Sequence, residues 1–195
     1  MLLKQLAFER INTGGVDLSI QEARHCLYNG KFDELLLELS RHPIFAEAWG
    51  IHPQNDSSDN ELAKNNLYKK MEDAELVLRF FALRNMEYFR GTIANFLDLY
   101  MIKSMTFDDE DIESLKEIFL ETIELASELY EENLFKPFDA KKPISYKAYY
   151  DAMMVSLSRH LSKAELLISK KSQVIEETKK SVSYTHLTLP TRTRV

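Results

Sequence analysis

From residue 19 to residue 180 the apolar positions recur at three- to four-residue spacing, the signature of helices that bury one face. Ser19 and Glu22 form an S-x-x-E capping box that predicts the start of a short helix. Asn29-Gly30 is expected to close it, with Gly30 as a left-handed cap. Asp33 is expected to cap a second helix, whose Leu35, Leu36 and Leu39 share one face. Pro43 restarts the chain, and Ile44, Phe45, Ala48 and Trp49 predict a short buried helical turn. Residues 50–60 (GIHPQNDSSDN) are strongly polar and predict an exposed loop, the expected internal boundary. Leu76, Phe80, Leu83 and Met86 then mark a helix that Gly91 ends, and Phe96, Leu97, Tyr100 and Met101 mark another.

Residues 106–111 (TFDDED) predict the start of the longest element, since acidic residues suit the positive end of a helix dipole. Ile112, Leu115, Ile118, Phe119, Thr122, Ile123, Ala126 and Leu129 carry its apolar stripe. Glu113, Glu117, Glu121, Glu124 and Glu128 fall largely off that stripe and read as a solvated face. Pro137 and Pro143 bracket a loop, Ser145 is expected to cap a further helix, and residues 162–180 predict a last one.

Composition sharpens this picture in three ways. Only 5 Gly and 5 Pro punctuate 195 residues, which favours helix nearly throughout. With 31 acidic against 25 basic residues the formal charge is −6, which argues against a generic coat for nucleic acid. The single cysteine, Cys26, excludes an internal disulfide and points to a reducing compartment. No apolar run approaches the roughly 20 residues that span a bilayer, and MLLKQLAFER lacks a cleavage site, so the expected location is the cytoplasm and no membrane partner is expected.

The end of the chain has a separate origin. VSYTHLTLPT (residues 182–191) matches, residue for residue, one translated frame of a transposon-based sequencing adapter. Residues 181–195 are therefore expected to be non-native and to stop the helix that precedes them.

The candidate chemistry sits near the other end, in Phe8-Glu9-Arg10-Ile11-Asn12-Thr13-Gly14-Gly15, followed by Leu18-Ser19 and Gln21-Glu22-Ala23-Arg24. Paired glycines permit positive φ and close approach of backbone amides to a ligand. A helix start a few residues later favours an anion, and Arg10 and Arg24 can offer forks to phosphate. The alternative is a plain tight turn, with Asn12 bonding backbone and Arg10 paired to a carboxylate. No Gly-Lys-Ser/Thr is present, so this is not a Walker loop.

The string FERINTGG-x-x-L-S-x-Q-E-x-R resembles the hallmark of the N-terminal domain of the GmrSD restriction family, and EDAELVLRFFALRNMEYFRGTIANFLDLYM (residues 72–101) is similar to that family's helical region. The resemblance runs from Phe8 to about Met105 and is looser from 106 to 180. It implies anti-phage defence: a ParB-like domain binds and hydrolyses nucleoside triphosphates and is coupled to a nuclease that attacks modified DNA. Some relatives sense phosphorothioate DNA instead. The implied fold is mainly α, a helical bundle-like region following the end of a truncated ParB-like α+β nucleotide-binding domain. Its expected divisions are a ParB-like remnant at 1–50 and a helical domain at 59–180.

The resemblance implies nucleotide-binding roles for Arg10, Asn12, Thr13, Gly14 and Gly15, with Gln21 and Arg24 as second choices. It further implies, for the parent protein, a nucleoside triphosphate with a divalent metal, DNA as partner, and a nuclease domain or subunit. The family's upstream Asp-Gly-Gln-Gln-Arg motif does not occur in the chain, and His25, His42, His52, His160 and His186 do not form its His-rich nuclease motif. No catalytic or metal-ligating residue is therefore carried over, and the chain is expected to be an inactive fragment. The competing expectation is a non-catalytic helical interaction or scaffold module.

Overall fold

Ser19 caps the first described helix as its sequence predicts. Its hydroxyl accepts from the Glu22 amide at 3.1 Å, and the Glu22 carboxylate accepts from the Ser19 amide at 2.6 Å. Two amides that a helix start leaves without partners are thereby satisfied. The computed structural model describes residues 18–51, 65–138 and 144–188. Within them the chain forms α1 (Ile20–Leu27), α2 (Lys31–Ser40), α3 (Pro43–Ala48), α4 (Asn66–Lys69) and α5 (Glu72–Leu83). There follow α6 (Ile93–Ser104), α7 (Asp109–Tyr130), α8 (Lys147–Ser158), α9 (Ala164–Ser169) and α10 (Lys171–Thr188). Among the described residues there is no strand, and the architecture is a mainly-α bundle. Of the expected α+β remnant over 1–50, the described part is α1 to α3; the Phe8-to-Gly15 string lies outside the described residues.

The longest helix, α7, organises the core. Asp108 caps it through a box with Asp111, the two amide-to-carboxylate bonds being 2.9 and 3.2 Å. Glu113, Glu117, Glu121, Glu124 and Glu128 are all exposed on it, as expected for a solvated face. On the inner side Phe119 meets Phe80 edge-on at 5.3 Å and lies 6.2 Å from Phe45. Phe45 in turn meets Tyr150 at 5.9 Å, and Tyr150 meets Phe135 at 4.9 Å. Edge-to-face contacts at these distances suit the ring quadrupoles. Phe32, Leu36, Leu39 and Phe45, before the boundary expected at 50–60, share one hydrophobic core with Phe81, Phe119, Leu129 and Tyr150 beyond it.

Several local expectations are corrected. Gly30 is extended (φ 169°) rather than left-handed, and it precedes α2. Helix α1 ends at Tyr28, whose amide donates to the Arg24 carbonyl at 2.8 Å. Asp33 is not a cap; it lies inside the first turn of α2, 1% exposed, and accepts from His25 Nδ1 at 2.5 Å. Ser145 does not cap α8 either, because its hydroxyl donates to the Ala48 carbonyl at 2.5 Å and ties the approach to α8 onto the end of α3. For Asp33 and Ser145, a partner outside the helix start replaces the local capping role.

The helix expected over 162–180 is divided: a 3₁₀ turn at Leu161–Lys163, then α9, then α10. Ser169 Oγ donates back to the Leu166 carbonyl at 2.8 Å, a local bond that competes with the helical ladder at the break. Contrary to the expected stop at 181, α10 continues to Thr188. No glycine or proline stands between Lys171 and Thr188 to end it, the first breaker being Pro190.

Candidate functional site

Of the candidate residues, Arg10, Asn12, Thr13, Gly14 and Gly15 lie outside the described residues. Gln21 and Arg24 are described, and α1 brings them together. One helical turn apart, they face inward, each 1% exposed. Arg24 Nε donates to Asp98 Oδ1 at 2.8 Å and Nη1 donates to Glu75 Oε2 at 2.9 Å. Nη1 also reaches Gln21 Oε1 at 3.1 Å, and Nη2 donates to the Ala94 carbonyl at 3.3 Å. A guanidinium can be buried here because its rigid fork meets four acceptors, two of them charged. The carboxylate-bearing side chains stay partly wet, at 23% for Glu75 and 18% for Asp98.

Gln21 is less fully satisfied. Its Nε2 is buried and has no hydrogen-bond partner among the described residues. An unpaired buried donor carries a desolvation cost of about 1–3 kcal/mol, so this amide is the free valence of the cluster. Nearby, burial foremost pushes the Tyr28 phenol above its usual range; Asp98 adds to the shift and Arg24 opposes it. Ser19 Oγ donates to the Lys70 carbonyl at 2.7 Å, fastening the start of α1 just ahead of α5.

Chemically, Arg24 cannot turn its fork to an outside phosphate without abandoning Glu75 and Asp98. In this geometry it joins three helices, α1, α5 and α6. Glu75 and Asp98 are the partners of Arg24 that sequence reasoning missed. Asp98 carried a signal: it is the sole acid in the mostly apolar α6 (IANFLDLYMIKS), and an isolated acid in such a helix calls for a cation beside it.

Other chemistry is spread out. Asp33 has its carboxyl pushed up by burial, with His25 opposing. His42 is pushed down by burial, and His160 Nδ1 donates to the Ser156 carbonyl at 2.8 Å. Among the described residues no three or more His, Cys, Asp or Glu gather as a metal site, and no helix is long and apolar enough to cross a membrane. A cleft of about 680 Å³ opens between α8, α9 and α10, with Met153, Leu157, Leu167 and Val174 in its apolar lining. No protein-family model, curated protein or solved structure matches the chain.

Proposed function

We propose that this chain supplies part of a nucleotide-binding pocket and a helical domain of an NTP-dependent restriction protein of the GmrSD type, acting in anti-phage defence on modified DNA. The observation that carries the reading is a junction. The two sequence blocks that resemble that family, 8–24 and 72–101, meet through Arg24, which bonds Glu75 and Asp98 of the second block. The contact supports the reading, because it gives both blocks one shared local geometry.

In this reading Arg10 contacts a nucleotide phosphate, with a divalent metal completing the charge balance. Arg10→Ala is expected to weaken triphosphate affinity by about one to two decades, because charge-assisted hydrogen bonds contribute about 1.5–3 kcal/mol each. Arg10→Lys is expected to recover part of the loss. Titration calorimetry with a nucleoside triphosphate and magnesium, beside thermal unfolding without ligand, checks both. Unchanged affinity with a less stable apo protein would make Arg10 a structural ion-pair residue.

A second reading, a helical interaction module, draws on α6. Its Leu99 and Ile102, and Met105 just after it, are 57, 51 and 55% exposed. Under that reading all Arg10 variants leave nucleotide affinity unchanged.

A further inference from the structure

The elements around the Arg24 cluster are held in different ways. Helix α2 enters the core with Phe32, Leu35, Leu36 and Leu39, all at most 2% exposed. Helix α1 buries only one apolar side chain to that degree, Ala23; Ile20 is 51% exposed and Cys26 is exposed. Its ties to the bundle are polar instead: Ser19 to the Lys70 carbonyl, Arg24 to Glu75, Asp98 and the Ala94 carbonyl, and His25 to Asp33. Apolar burial adds stability in proportion to area, whereas a buried ion cluster returns little net free energy after desolvation. Gln21 Nε2, buried without a partner among the described residues, weakens the docked state further.

We propose that α1 is an ionic clasp, which undocks from the bundle as a unit while the aromatic core stays folded. Docked, α1 sequesters the Arg24 fork among α5 and α6. Undocked, it presents that fork to solvent. The inference does not depend on the nucleotide reading, since it concerns how α1 is held rather than what it meets.

Native-state hydrogen exchange on the full 195-residue chain tests it, comparing peptides from α1 with peptides from α5 and α7. In the unaltered protein α1 amides are expected to exchange at least tenfold faster than those of α5 and α7, with a shallower dependence on urea. Leu129→Ala, a cavity in the core remote in sequence from α1, is expected to speed exchange in α5 and α7 at least tenfold and to leave α1 within about twofold. Arg24→Met is expected to bring α1 close to unfolded-peptide rates while α5 and α7 stay protected and the chain still unfolds cooperatively. If α1 exchanges at the same rate as α5 and α7 and moves in step with them under Leu129→Ala, it opens only with the whole bundle and the clasp is overturned. Loss of protection in all three helices together under Arg24→Met would overturn it equally.

Discussion

Tyr150 shows how a single polar atom is tolerated in this core. Its ring meets Phe45, Trp49 and Phe135, yet its hydroxyl is buried with no hydrogen-bond partner among the described residues. Burial, with Asp151 adding and Arg79 opposing, pushes that phenol well above its usual range, so it stays neutral. Tyr150→Phe keeps the ring and removes the orphan, and it is expected to stabilise by about 1 kcal/mol, or about 2–4 °C in melting temperature. A melting temperature lowered by the substitution would show that the hydroxyl has a partner. Asp73, 4% exposed in the first turn of α5, is a charged counterpart. Burial raises its carboxyl above the ordinary 3.8, against hydrogen bonds from the Ala74 amide and Ser40. The folded state therefore holds the proton more tightly than the unfolded state. Its stabilising contribution is full below 3.8 and is lost as pH rises through the raised folded value. Asp73→Asn is expected to flatten that decline, measured as urea midpoints from acid to neutral pH.

At the scale of elements, the legible features were those whose cause is local. The α7 stripe, its acidic start and its outward glutamates could all be read, because period and dipole act within a few residues. Asp108→Ala removes the cap of α7 and is expected to cost about 1 kcal/mol, visible as a melting temperature lower by about 2–4 °C. What could not be read were roles decided by distant partners. Ser145 bonds a carbonyl 97 residues away, and Arg24 finds its carboxylates 51 and 74 residues away. Asp33, a plausible cap from its neighbours alone, is drawn inward by His25. The candidate site was legible in part: Gln21 and Arg24 do meet, but the partners that define their meeting were hidden by separation along the chain.

For the whole molecule, the shared core decides what can be removed. Residues on both sides of the polar stretch at 50–60 pack around Phe45, Phe80 and Phe119, so neither side has a core of its own to retreat to. The far end is different. Ser181 Oγ donates one turn back to the Glu177 carbonyl at 2.9 Å, and Lys180 pairs with Glu176 and Glu177 of its own helix. Deleting residues 181–195 is expected to leave the melting temperature within about 2 °C, since local helical pairs contribute only tenths of a kcal/mol. A larger fall would give those residues a part in the fold.

The outer row of glutamates on α7 acts beyond its own helix. Five exposed carboxylates along one ridge, on a chain of net charge −6, set up a repulsive field toward any phosphate polymer. At physiological salt that field reaches about 8 Å from the surface. A nucleic acid diffusing toward the molecule is turned away from the ridge before any base or backbone contact forms. The ridge thus restricts the angles from which such a polymer can approach, and added salt, by shortening the field, widens them.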